Sequence, residues 1–265
     1  MSKRHKETVQ KQFTKTAEAF AKYAVRDTPE ITAEKVEFAK PLPTDLALDV
    51  ACGPGALVLA LAPRVQFARG IDITEEMIRR ARGFQAERQI ANAAFDCGEA
   101  EQLPYSDGAF TLVTCQMSLH HMPKPELALR EMVRVTKPDG RIMIVDTLGP
   151  ESDAKFELHN RIESSRDPSH ISALRLTTFL QLFDDAGLEI LRQTIKRRRR
   201  SFNQWMLRAG LEPKHKRFLE TRKLLEDSIP SDRAGYSPQI QADDILIVHN
   251  EGMFLLAKPA VDGRR

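Results

Sequence analysis

A chain of 265 residues, 42% of them hydrophobic, can bury one substantial core and fold as a single α/β domain. Its formal net charge of +3 is too small to argue for bulk attraction to nucleic acid, and no window approaches the roughly eighteen apolar residues of a membrane span. The three cysteines lack metal-like spacing and no apolar segment follows the basic amino terminus, so the expected setting is a reducing cytoplasm, with no bound metal.

Residues 7–40 read as two helices, with Val9, Phe13, Ala17, Phe20 and Ala24 recurring at helical steps and a second helix over 31–39 after Pro29. Lying before the first strand, residues 1–40 are expected to cover the sheet or its ligand edge as a helical lid. Phe13 and Tyr23 could then cap a ligand on the substrate side, although packing is the commoner use of such aromatics.

Residues 46–55, LALDVACGPG, read as a strand, a tight loop and the start of a helix. Gly53 and Gly55 permit positive φ and leave no Cβ between backbone and ligand, Asp49 can reach ligand hydroxyls or amines, and the helix amino terminus attracts negative charge. Val58 stands where the dinucleotide fingerprint wants Gly or Ala, which counts against NAD. VQFARGIDI alternates as a second strand ending in Asp72, whose carboxylate can accept both hydrogen bonds of a ribose diol. The alternative is an aspartate that caps the next helix, for which Thr74 is better suited.

Beyond lie a helix opened by Thr74, Glu75 and Glu76, a short strand at 93–97, and a fourth strand ending near Gln116. A helix over 124–138 presents Leu127, Met132, Val133 and Val135, Pro138 to Gly140 form a turn, and RIMIVDTL is a fifth strand. A helix at 174–187, a strand at 189–196, a polar and mainly helical stretch at 201–245 and a last strand from Met253 complete the chain. Strands alternating with helices imply a parallel sheet with right-handed crossovers that binds ligands at its carboxyl edge. Residues 41–148 form the expected cofactor-binding core and 149–265 the carboxy-terminal part, with irregular inserts at 149–173 and 201–245 as substrate walls.

His120 and His121 follow the fourth strand at that edge and are candidate bases. In RDPSH, residues 166–170, Asp167 could orient His170 as a third candidate, or the segment is a helix-boundary turn. Cys52, Cys97 and Cys115 could support thiol or metalloid chemistry, but small buried packing is commoner. The run KRRRRSFNQW, residues 196–205, could bind RNA or an anionic membrane, yet the modest net charge favours a solvated strand end.

Four ordered segments, LALDVACGPG, GIDITEEMI, GEAEQLPYSDGAF and LHHMPKPELALREMVRVTKPDGRIMIVD, span residues 46–146 and resemble the class I S-adenosylmethionine-dependent methyltransferases, particularly the ubiquinone and menaquinone biosynthesis type. The resemblance implies a Rossmann-like, seven-stranded, mostly parallel α/β sheet with helices on both faces and an antiparallel last strand. It implies S-adenosylmethionine as cofactor and S-adenosylhomocysteine as product. Asp49, Gly53 and Gly55 would line the methionine part, Asp72 would take the ribose, Ile73 and Met77 would flank the adenine, and Glu99 with the Ala100 backbone would read the adenine amino group. Gln116 would close the site. Ala51, Glu99 and Thr111 depart from the family pattern, Ala51 replacing its first glycine while keeping its place beside the cofactor.

The implied reaction is methyl transfer to a small, ring-bearing or apolar acceptor, needing alignment, exclusion of water and, where the acceptor loses a proton, a base. The alternatives are an RNA methyltransferase using residues 196–200, although CQMS occupies the place of the tetrad used on base nitrogens, and a cofactor-binding homologue without catalysis. Nothing in the sequence points to an oligomeric state.

Overall fold

The computed structural model describes residues 1–22, 25 and 29–259. Helices α1 (Lys3–Lys22) and α2 (Pro29–Ala39) precede β1 (Leu46–Val50), α3 (Ala56–Leu61), β2 (Phe67–Asp72), α4 (Glu75–Glu87), β3 (Ala93–Cys97), β4 (Phe110–Gln116), α5 (Pro125–Val135) and β5 (Thr136–Leu148). The second half carries α6 (Asp153–Arg166), α7 (Leu176–Asp185), β6 (Glu189–Ser201), α8 (Phe202–Arg208), α9 (Lys216–Ser228), β7 (Gln239–Gln241) and β8 (Asp244–Ala257).

The sheet order is β3-β2-β1-β4-β5-β8-β6, with β7 paired to β8 as a short hairpin. β1 to β5 are mutually parallel, and β8 runs antiparallel between β5 and β6. The sheet thus has eight strands rather than the seven expected, the extra one being β7. From β1 the chain winds outward to β2 and β3, then returns to β4 on the other side. The crevice at that reversal, outside the carboxyl ends of β1 and β4, is where such sheets hold ligands.

Both faces are covered, as continuous apolar strands require. Leu48, Val113, Ile142 and Ile144 pack against α5 and α7, while Leu112, Met143 and Val145 pack against α2 and α3. A third core joins α6, α8 and α9 to the near half of β8 through Ile162, Phe202, Trp205, Phe218, Tyr236 and Ile247. The inserts therefore carry their own apolar centre and hold a fixed place beside the sheet.

Several boundaries differ from the sequence reading. The buried face of α5 is Ala128, Leu129, Met132 and Val135, with Leu127 and Val133 only half-buried, because the helix lies rotated toward its small side chain at 128. Pro138 to Gly140 sit inside β5, at a register irregularity opposite Phe110 and Leu112, rather than in a free turn. β8 begins nine residues before Met253, alternating buried and half-buried from Asp244 to Asn250 before it enters the two-sided core. Thr111, at the position where an acid is usual, donates to Asp45, which pairs with Arg141. Tyr23 and Ala24 lie outside the described residues.

Candidate active site

After β1 the chain reverses through Ala51 (φ +55°), Gly53 (φ +54°) and Gly55 (φ +81°). A left-handed alanine is strained by about 1 kcal/mol. Gly55 is required for a reason other than ligand approach. A Cβ there would lie 2.7 Å from two Phe95 ring atoms, so the residue serves the packing of the loop onto β3, and Gly55 is absent from the cavity wall.

Asp72, at the end of β2, accepts from Gly53 N–H at 2.9 Å and from Thr74 N–H at 2.8 Å. It ties the glycine loop to the start of α4 while its side chain lines the cavity. Capping and ligand-facing readings thus coexist, and Thr74, expected as the cap, leaves its hydroxyl without a partner. Burial raises the Asp72 pKa against the hydrogen bonds from Thr74 and Gly53. Asp49 lies beneath the loop rather than in the wall. Thr114 donates to its Oδ1 at 2.6 Å, Oδ2 has no partner, and burial pushes its pKa to about 7.

A cavity of about 250 Å³ opens between the glycine loop, α1, α2 and the insert elements α6 and α8. Ala51, Gly53, Asp72, Ile73, Met77 and Ala100 line one side, with Gln116 accepting from Lys35 at 3.0 Å. Glu99 is outside the wall because its carboxylate is paired with Lys6 of α1. α1 is further fastened by Gln10 to the Ile73 carbonyl and by His5 to the His121 carbonyl. Phe13 lines the cavity and meets the His121 ring edge-on at 5.1 Å.

The three histidines are sorted by their partners. His120 Nδ1 bonds Asp146; burial disfavours its charge, but that carboxylate prevails and raises its pKa. His121 faces the cavity, and Ser169 Oγ lies 3.2 Å from its Nδ1 while bonding Asp167 at 2.5 Å. Burial, aided by the neighbouring His120 charge, pushes the His121 pKa down to about 4. His170 is not in the wall: its Nε2 is held by Asn160 Oδ1 at 2.8 Å, and burial pushes its pKa to about 3. The expected Asp167–His170 pairing is replaced by Asp167–Ser169–His121. Position 169 stands closer to the Asp167 carboxylate because the 167–170 turn donates Ser169 N–H to it at 2.9 Å.

The remaining wall joins members of the RDPSH segment and of the basic run to residues with no signal in the sequence, Glu163 and His249 among them. Glu163 accepts from Tyr236 at 2.9 Å and from His249 at 3.0 Å; burial raises its pKa, but the hydrogen bond and charge of His249, with the charges of His170 and His159, hold it well below the carboxylate range. Arg166 rests 4.7 Å above the Trp205 ring and donates Nε–H to the Trp205 carbonyl at 3.1 Å. The basic run forms part of β6, so its side chains alternate. Lys196 and Arg198 pair with Glu34, Arg198 also pairs with Glu251, Arg200 enters the cavity wall, and Arg197 and Arg199 are exposed on the other face. There is no single-sided stripe of four arginines. Cys52 and Cys115 are buried, with thiol pKa values raised by that burial, and no metal-binding group of side chains occurs among the described residues. Among those residues no helix is long and apolar enough to cross a membrane.

A methyltransferase-domain model matches residues 48–144. The chain is 34% identical over 171 residues to the uncharacterized methyltransferase YcgJ of Bacillus subtilis, covering 64% of this chain and 68% of that protein. The chain belongs to the class I S-adenosylmethionine-dependent methyltransferases. A crystal structure described as a methyltransferase from Bacillus halodurans superposes with a TM-score of 0.80 at 26% identity, covering 86% of this chain and 99% of that one. The demethylmenaquinone methyltransferase of Lactobacillus johnsonii is 35% identical over 113 residues, 40% of this methyltransferase and 45% of its own length.

Proposed function

We propose that this methyltransferase transfers the methyl group of S-adenosylmethionine to a small-molecule acceptor bound between the glycine loop and the wall built by α6, β6, α8 and β8. The observation carrying this reading is one continuous cavity with two unlike sides: a glycine loop, a buried carboxylate and apolar Ile73 and Met77 on one, and charged groups of the inserts on the other. A relative named for demethylmenaquinone supports a small acceptor.

The residues fit the cofactor. Asp72 offers lone pairs to a ribose diol, Ile73, Met77 and Ala100 offer an apolar slot for a base, and Lys35 beside Gln116 offers a cation to a carboxylate. Asp49 Oδ2, an orphaned buried acceptor under the loop, adds negative potential there for an ammonium. Glu99, bonded to Lys6, couples the adenine end to α1, so α1 and α2 act as a lid that excludes water. When bound, S-adenosylmethionine supplies a methyl group already activated on sulfur.

Where the acceptor loses a proton, His121 receives it. The Ser169 hydroxyl donates to Asp167, so the His121 Nδ1–H donates to Ser169 and Nε2 keeps its lone pair. His120 is tied through Nδ1 to Asp146, which against burial raises its pKa and favours its charged form, so it is the poorer proton acceptor. His170 holds Asn160 and the 167–170 turn. The test is methyl transfer from labelled S-adenosylmethionine to a panel of small hydroxy, amino and carbon acceptors. With an active acceptor, His121→Asn should lower kcat on the order of a hundredfold while S-adenosylhomocysteine affinity is kept. Unchanged turnover would remove His121 as the base, and labelling of total RNA in place of every small acceptor would overturn the small-molecule reading.

A further inference from the structure

Arg166 is the last residue of α6, and Arg200 lies near the end of β6, thirty-four positions later. Both line the cavity. Among the described residues, Arg166 makes one hydrogen bond, from Nε, and its stacking on Trp205 fixes the plane of the guanidinium. Its terminal amino groups have no hydrogen-bonded partner and are not sealed from the cavity. Arg200 has no hydrogen-bonded carboxylate among the described residues, unlike its strand neighbour Arg198, which is consumed by Glu34 and Glu251.

The acids nearby are already committed. Glu163 accepts from Tyr236 and His249, Asp167 from Ser169, and Glu251 from Arg198. In this half of the cavity Glu163 and Asp167 stand near Arg166, and Glu251 is shared by Lys35 and Arg198, which leaves Arg200 without a bonded counter-charge among the described residues. A buried guanidinium without a bonded counter-charge is expensive, and a planar guanidinium matches a carboxylate through two parallel hydrogen bonds. One further negative charge balances the set. Buried polar atoms of wall residues that lack hydrogen-bond partners include His249 Nδ1 and Thr147 Oγ1. Beside them the wall is apolar, with Phe13, Met117, Met122, Trp205 and Ala209.

We infer that the acceptor is an amphipathic small molecule whose carboxylate is bound by Arg166 and Arg200, its apolar or ring-bearing body lying along Trp205, Ala209 and Phe13. This deepens the methyl-transfer reading of the same cavity and rests on it. A phosphate dianion would overfill the single uncompensated charge, which separates the two oxyanions.

The experiment uses the full chain saturated with S-adenosylhomocysteine and titrates benzoate, benzamide and phenyl phosphate at constant ionic strength, in the wild type and in Arg200→Gln. Arg166→Lys keeps the buried charge but removes the fork, and serves as the second variant. Benzoate is expected to bind the wild type at least about tenfold more tightly than benzamide. Both variants should erase most of that preference, with S-adenosylhomocysteine affinity held within about twofold. Benzoate binding no tighter than benzamide, including undetectable binding of both, overturns the inference, as does a preference for phenyl phosphate. Weakened S-adenosylhomocysteine binding in both variants overturns it too, by assigning the arginines to the cofactor's carboxylate. If S-adenosylhomocysteine fails to bind the wild type, the methyl-transfer reading falls as well. If it binds and only the benzoate preference is missing, this inference falls alone.

Discussion

Lowering the pH from about 7.5 to about 5.5 should destabilise the protein by an amount that the buried histidines set. His121, His170 and His249 have pKa values pushed down to about 4, about 3 and about 4, in each case mainly by burial. In the unfolded chain each returns to about 6.5. Across this window the unfolded state takes up protons that the native state refuses, so stability falls with falling pH. Each group removes about 1.4 kcal/mol, and the three together remove about 4 kcal/mol. His159, also held neutral by burial, acts in the same direction.

His120 has the opposite sign. Its raised pKa gives stability that is fully present below the unfolded value and lost as pH rises through the native one, so acidification returns at most about 1.4 kcal/mol. The carboxylates of Asp146, Glu163 and Asp167, with lowered pKa values, keep their contribution until the pH falls below the window. Asp49 also opposes the loss: with its pKa pushed by burial to about 7, the native state takes up a proton in this window that the unfolded carboxylate does not, which returns about 2 kcal/mol. The net loss is about 1–2 kcal/mol, equivalent to a fall in Tm of roughly 2–8 °C for a chain of this size. Urea unfolding followed by fluorescence of Trp205, which packs in the insert core, reads this directly. A midpoint that is unchanged or higher at the lower pH would refute the reasoning, because it would mean that these imidazoles are charged in the native state.

Gly55→Ala should lower stability by about 3 kcal/mol, since it combines a left-handed alanine with a Cβ driven into Phe95. A thermal melt within a degree of wild type would show that Phe95 yields. Glu163→Gln removes the charge that accepts from Tyr236 and His249 and stands beside Arg166, so it should cost about 2 kcal/mol. A variant as stable as wild type in chemical denaturation would show that the cluster contributes no net stability.

The glycine-loop side of the cavity was legible because its chemistry is local. A strand-end acid, a loop needing positive φ and a second acid about twenty residues later lie within one βαβ unit, and spacing alone joins them. The opposite wall was not, because Arg166, Arg200 and His249 come from three separate elements that only tertiary packing brings together. RDPSH pointed to the right turn but the wrong pair. Which imidazole Asp167 serves depends on the Ser169 hydroxyl and on the position of the turn after β4, and no periodicity reports either. Four successive arginines hide strand alternation, since the pattern carries no apolar face to reveal it. The polar start of β8 escaped notice for a related reason: its inward positions include His249 and Glu251, which are buried only because Glu163 and Arg198 meet them.

The most direct test of the central claim is calorimetric titration of S-adenosylhomocysteine into the wild type and Asp72→Asn. Binding in the micromolar range that weakens about tenfold or more in the variant is the predicted result, because the substitution removes the cavity-lining carboxylate proposed to accept from the ribose. Absence of binding at millimolar ligand, or equal affinity in the two proteins, would contradict the account.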